Sequence, residues 1–255
     1  MTSLAGAKVL VVGASSGIGR QIGLQAGAAG ASVAFLARRR AQLDDAVAAT
    51  PGTGHIAVAC DVRDEAQCVD AVAAAADALG GLDHLVYATA IDVLIRLADA
   101  GPDTWSDTFA TNVFGAASIT RAALPRLKAA KGRAVYLSAS SVPRPLPGMG
   151  VYAASKAALE TMVTSWQHEH PDLAFTTVRI GSVLGTGVTD SWSHELLGEL
   201  AAEWGTGGYL HANGPGGALT VEQAAAAVLA VLTNPAWLRE VTAVSDPGRE
   251  NYRFE

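Results

Sequence analysis

Apolar residues along this chain fall into two alternating textures. Short, mostly apolar runs at residues 9–12, 32–37, 55–59, 84–88, 133–137, 174–180 and 241–244 read as strands, and the first is apolar throughout, as a strand covered on both sides requires. Between them, residues 17–29, 41–49, 65–79, 104–130, 151–168 and 221–232 mix polar and apolar positions at helical spacing. Strand and helix thus alternate from end to end. That alternation predicts an α/β fold, a doubly wound parallel sheet of about seven strands with right-handed crossovers and helices on both faces. No repeat, low-complexity tract or linker divides the chain, so one domain over residues 1–255 is expected.

Two stretches break the rhythm. Residues 140–150 carry Pro143, Pro145 and Pro147, whose fixed φ angles stiffen a loop. Residues 181–219 are Gly-rich and bear Trp192, Trp204 and Tyr209. Both follow strands at their carboxyl ends, the side of an open α/β sheet on which ligands bind, so they are candidates for pocket wall and lid. With Ile91, Val93, Leu94, Leu146, Met149 and Val183 they imply an apolar pocket suited to a bulky or aromatic carbonyl compound. Lid residues packing on one another are the other reading.

Composition narrows the partners. The chain has 255 residues, half of them hydrophobic, a net charge of −6 and a pI near 5.5. It carries no stripe of Lys and Arg, so neither nucleic acid nor an anionic membrane surface is an expected partner. Mean hydropathy is positive at +0.25, yet the longest charge-free run, residues 204–221, is broken by glycines and Pro215 and cannot span a bilayer as a helix. Cys60 and Cys68 are too few for a disulfide framework or a four-ligand zinc site, and no His/Cys/carboxylate spacing suggests a metal. With no leader ahead of the first strand, a reducing, cytoplasmic address is expected.

The chemistry-bearing residues lie at strand ends. After the first strand stands Gly13-Ala14-Ser15-Ser16-Gly17-Ile18-Gly19, a turn whose glycines allow close backbone approach and whose following helix offers free N–H groups to a pyrophosphate. No acid follows between Gly19 and Asp44 to accept a ribose 2′-hydroxyl. The second strand runs instead into Arg38-Arg39-Arg40, where a guanidinium can take a 2′-phosphate in bidentate fashion, so NADP(H) is favoured over NAD. A solvated basic helix start is the plainer reading of the cluster, and Arg40 is the arginine expected to be only that. Asp61-Val62, after the third strand, either bounds the adenine ring or caps a helix. Tyr152 and Lys156, four residues apart, share a helix face. The ammonium favours the phenolate, which predicts a lowered tyrosine pKa and a phenol able to exchange a proton with a carbonyl or hydroxyl group.

Taken together, the Gly-rich turn, Asp61-Val62, Thr111-Asn112-Val113-Phe114-Gly115 and Tyr152 with Lys156 resemble the short-chain dehydrogenase/reductase family over nearly the whole chain. The resemblance implies a Rossmann-like fold and NADP(H) held by Gly13, Ser15, Ser16, Gly17, Ile18, Gly19, Arg38, Arg39, Asp61, Val62, Ala88, Tyr152, Lys156, Val183 and Thr186. It also implies a proton relay through a water on Asn112, a Lys156 that bonds the nicotinamide ribose, Tyr152 as general acid/base, and a homodimer or homotetramer. Asn112 can equally be a helix-interior amide satisfied by backbone.

Three departures stand out. The serine that the family places 13 residues before the tyrosine is Ala139 here, flanked by Ser138, Ser140 and Ser141. Strand alternation turns Ser138 away from the pocket, while Ser140, where the strand ends, can turn inward and is the preferred substitute; either can instead cap loop backbone. The family's Asn-Asn-Ala-Gly is Tyr87-Ala88-Thr89-Ala90, which adds a Cβ beside the cofactor ribose. Gly181 lacks a preceding proline, and Thr186 stands one position late. The expected activity is NADPH-dependent reduction of a carbonyl substrate, or oxidation of the matching alcohol. Alternatives are non-redox chemistry on the same fold (dehydratase, cyclase or epimerase) and an NADP-binding partner or sensor protein.

Overall fold

The structure is a computed structural model of the chain and describes residues 4–187, 189, 192–207 and 217–246. Among them, seven strands form one parallel sheet: β1 (Lys8–Val12), β2 (Ser32–Ala37), β3 (Ile56–Ala59), β4 (His84–Tyr87), β5 (Arg133–Ala139), β6 (Ala174–Ile180) and β7 (Glu240–Ala243). The strand order is β3-β2-β1-β4-β5-β6-β7. The order reverses between β1 and β4, which opens a crevice beyond their carboxyl ends. The Rossmann-like α/β fold is therefore as the apolar runs require.

Helices cover both faces because their apolar stripes have the sheet to bury against. On one side α1 (Gly17–Ala28), α2 (Arg40–Ala49) and α8 (Val221–Leu232) enclose Val9, Val11, Phe35, Val135 and Val178. On the other, α3 (Glu65–Leu79), α5 (Gly115–Ala130) and α6 (Gly150–Glu169) enclose Leu10, Leu85, Tyr87, Tyr136 and Phe175. Alternating β-strand positions thus feed two separate cores.

Three elements differ from the sequence expectation. The helix expected over 104–130 is α4 (Pro102–Phe109), one π turn (Ala110–Phe114) and α5, and the wide turn is centred on Asn112. Strand β5 runs two residues past the apolar stretch, through Ser138 and Ala139, because both continue to pair with β6. Within the stretch read as an irregular lid lies α7 (His194–Thr206), whose first turn is capped by the Ser193 hydroxyl accepting from the Leu196 N–H. Leu200 and Trp204 of α7 pack with Leu94, Leu146 and Met149 above the sheet, with Tyr152 and Trp192 against them. Tyr209, expected on the lid, lies outside the described residues. None of the described helices is long and apolar enough to cross a membrane, and no metal-holding cluster occurs among the described residues.

Candidate active site

The site begins where β1 ends. The Gly13 and Ala14 N–H groups donate to Leu36 O at 2.8 and 3.1 Å, which folds the turn down onto β2. Gly13 has φ +88, and a Cβ there would come within 2.6 Å of the Thr89 backbone nitrogen. A Cβ on Gly19 would lie 2.3 Å from Gly13 O, so this turn exists only without side chains at both positions. Its backbone therefore stays open toward the crevice at the start of α1.

The three arginines separate into three roles. Arg39 donates through Nη2 to Ser15 Oγ at 2.9 Å and Ser16 Oγ at 2.7 Å, so it stands over the turn. Arg38 lines a cleft with Gly13, Asp61, Val62, Thr89 and Ala90. Arg40 is tied to Asp44 one helical turn on, at 2.9 Å, and exposed. Asp61 is paired with Arg63 at 2.6 Å, and the hydrogen bonds to that guanidinium hold its carboxyl below the usual carboxylate range. The cap of α3 is Asp64, which accepts from Gln67 N, so capping is not the role of Asp61. Ala88 donates its N–H to Val12 O, and Thr186 lies over Gly17 at the mouth of the turn. Val183 pairs with Leu219, and Ile18 packs on the core below the turn.

Asn112 is fully buried and used at both ends. Its Oδ1 accepts from Ile91 N at 2.7 Å, and its Nδ2 donates to Ile91 O and Ser155 Oγ, each at 2.9 Å. Ser155 in turn donates to Tyr152 O at 2.7 Å. This chain ties the loop after β4, the π turn and α6 to one another, and the side-chain amide is thereby a strut. Both Nδ2 hydrogens are taken, and Oδ1 keeps one further lone pair as an acceptor. The signal for Ser155 was present in the Tyr-Ala-Ala-Ser-Lys stretch but carries no chemistry of its own.

Lys156 is 2% exposed and donates from Nζ to Leu137 O at 2.8 Å, with Nζ 5.8 Å from the centre of the Tyr152 ring. Burial lowers its pKa to about 8, against the support of the Asp92 and Glu160 carboxylates. The tyrosine departs from expectation. Burial under α7 and the nearby Asp92 carboxyl push the Tyr152 phenol well above its ordinary value, so it is protonated at neutral pH rather than poised as a phenolate. Desolvation outweighs the neighbouring ammonium, and a charge-proximity argument made without burial misses that.

Of the serines beside Ala139, Ser138 turns away. Its Oγ donates to Glu160 Oε1 at 2.6 Å, and Glu160 holds Arg179 at 2.6 Å on the same side. A residue committed to that ion pair on the far side of β5 from Ala139 is removed as a donor to substrate. Ser140 is half-buried where β5 ends, with its N–H on Ile180 O at 2.9 Å. Sequence reasoning missed Asp92, which no motif marks. Its Oδ1 is buried and has no hydrogen-bond partner among the described residues.

A model of the family described as short chain dehydrogenase matches residues 7–196. The chain belongs to the short-chain dehydrogenase family. As a member it is 33% identical over 185 residues to 11-beta-hydroxysteroid dehydrogenase A of Sesamum indicum, across 71% of this chain and 53% of that protein. It is 34% identical over 201 residues to 11-beta-hydroxysteroid dehydrogenase-like 3 of Arabidopsis thaliana, across 74% of this chain and 63% of that one. The chain thus spans between about half and about two thirds of the length of these curated relatives. Among solved structures, a short-chain dehydrogenase from Burkholderia cenocepacia J2315 in complex with NADP superposes with a TM-score of 0.79 at 27% identity, over 95% of this chain and 98% of that one. The short-chain dehydrogenase family comprises NAD(P)-dependent oxidoreductases, and the side-chain-free turn at Gly13 and Gly19 fits the dinucleotide they use.

Proposed function

We propose that the chain is an NADPH-dependent reductase of bulky apolar or aromatic carbonyl compounds, with Tyr152 as the proton donor. The observation that carries this reading is a half-buried phenol packed against α7, one helical turn from the buried Lys156 ammonium, whose Nζ lies 5.8 Å from the ring centre. When bound, the dinucleotide supplies the hydride. Gly13, Ser15, Ser16, Gly17, Ile18 and Gly19 would hold its pyrophosphate, Asp61, Val62 and Ala88 its adenosine side, and Val183, Thr186 and Lys156 its nicotinamide end. Tyr152 O–H is positioned to give its proton to the oxygen of the reduced carbonyl, and Lys156, anchored on Leu137 O, keeps positive charge beside the phenol as that proton leaves. Asn112 is the candidate holder of the water that relays the replacing proton. Helix α7 and Trp192 cover the substrate and exclude water.

The test is NADPH consumption against bulky aliphatic, aromatic and polycyclic ketones. Tyrosine-dependent oxidation of NADPH supports the reading, whereas tight NADPH binding without oxidation across the panel removes it. Ala139 and Ala90 support a second reading, non-redox chemistry with bound cofactor, whose mark is product formed without net NADPH loss.

The preference for NADPH rests on Arg39 standing over Ser15 and Ser16, with Arg38 in the cleft. Arg39→Ala is expected to weaken NADPH binding by roughly 10- to 100-fold, the worth of one or two charge-assisted hydrogen bonds, and to leave NADH binding unchanged. Fluorescence titration of both dinucleotides checks it, and an equal loss for NADH removes the 2′-phosphate role.

A further inference from the structure

Asp92 is half-buried and is the one carboxyl in the described residues that combines a buried, unpartnered oxygen with an electrostatic effect on the reactive pair. It stands five residues beyond β4, next to Ile91, which Asn112 clamps through both its N–H and its C=O. On its far side the Trp192 indole N–H reaches the Asp92 backbone carbonyl at 3.4 Å, and Leu94 of the same loop packs under α7. The backbone is therefore fixed from below and above. Through Ile91, Asn112 and Ser155 the loop that carries Asp92 is tied to α6, the helix of Tyr152 and Lys156, and the Asp92 carboxyl acts electrostatically on both. Yet it makes no ion pair with Lys156, whose ammonium is committed to Leu137 O. A buried oxygen without a partner is unfavourable, so its retention near the reactive pair calls for a use.

The use is indicated by what β5 lacks. Ala139 ends the strand with a methyl group, and Ser138 is spent on Glu160. A carbonyl being reduced builds negative charge on oxygen, and a second donor beside the phenol stabilises it. We infer that the carboxyl group of Asp92 is a catalytic residue, donating to the substrate's carbonyl oxygen the hydrogen bond that Ala139 cannot give. This rests on the reductase reading above and adds its second oxyanion donor. A carboxyl can donate only while protonated, and the apolar surroundings of Asp92 raise its pKa to about 7, with Lys156 opposing. Among the described residues, the charged and titratable groups that act on it are Lys156 and Tyr152 from α6, and the lid side presents the Trp192 indole and apolar side chains.

The sign of the pH effect follows. An acid whose pKa is raised holds its proton up to about pH 7, so donation is complete below that pH and is lost above it. The experiment compares Asp92→Leu and Asp92→Asn with the wild type on the best ketone of the panel, from pH 5.5 to about 9, with NADPH titration and thermal melting as controls for folding. The expected result is a loss in kcat of roughly 10²-fold or more for Asp92→Leu, in line with removal of one oxyanion donor. Asp92→Asn, which keeps an N–H donor, is expected within roughly tenfold of wild type and without the wild-type decline above pH 7. Both should bind NADPH as the wild type does. An Asp92→Leu variant that is folded, binds NADPH and turns over normally overturns the assignment while the reductase reading stands. Asp92→Asn as inactive as Asp92→Leu also overturns it, because the side chain is then needed as an anion, as for a substrate bearing an ammonium group. Failure of the wild type to oxidise NADPH with any ketone sinks the reductase reading, and this assignment with it.

Discussion

Tyr152→Phe is expected to bring NADPH-dependent reduction close to zero, a loss of roughly 10²–10⁴-fold in kcat, while NADPH affinity and melting temperature stay near wild type. Removing the phenol oxygen takes away the proton that the reduced oxygen needs. The ring itself stays, and with it the packing against Leu94, Met149 and Trp204 that seats α7. Since Lys156 is held by Leu137 O rather than by the phenol, its position does not depend on the hydroxyl. Steady-state rates, dinucleotide titration and melting of the two proteins make the check, and retained turnover withdraws Tyr152 as the donor.

The second large effect belongs to Gly13→Ala. The new methyl meets backbone, not a yielding side chain: Thr89 N at 2.6 Å, Thr89 Cα at 2.7 Å and Ala88 C at 2.9 Å. The φ of +88 adds left-handed strain for any residue with a Cβ. Overpacking and strain together are expected to cost about 2–5 kcal/mol and lower the melting temperature by roughly 5–15 °C. The ends of β1 and β4 must then move apart, so NADPH binding should weaken by more than tenfold. Gly198→Ala is the control. Gly198 lies on the exposed side of α7 with nothing within 4 Å of its Cβ position, and there alanine should stabilise by about 0.5–1 kcal/mol. Thermal melts of both variants, with dinucleotide titration of the first, separate the two cases.

How far the sequence carried the reading depended on how local each cause was. Strands buried on both faces leave nearly continuous apolar runs, so β1 and β2 were legible to within a residue, and β6 was too although Thr176, Thr177 and Arg179 interrupt it. The glycine turn was legible because its φ and close approach exclude other residues. Helix α7 was missed although Leu196, Leu197, Leu200 and Trp204 share a face and Ser193 caps it; the surrounding glycines obscured the pattern. The division of residues 102–130 by a π turn has no signature in composition, since it follows from Asn112 being drawn to Ile91 and Ser155. Alternation along β5 did separate Ser138 from the pocket. The Tyr152 shift and Asp92 depend on burial by residues distant in the chain, which a charge or motif reading does not contain.

The seating of α7 also has a calorimetric meaning. Its contacts over the crevice are made by Leu94, Leu146, Met149, Leu200 and Trp204, and its charged links to Arg96 through Glu199 and Glu203 are exposed. Attachment by apolar surface carries a negative heat-capacity change and weakens on cooling, whereas exposed ion pairs contribute little and are screened by salt. The cover over this site should therefore loosen in the cold and be nearly indifferent to ionic strength. An Arrhenius plot of turnover that curves downward at low temperature, and does so equally at low and high salt, is what such an attachment produces.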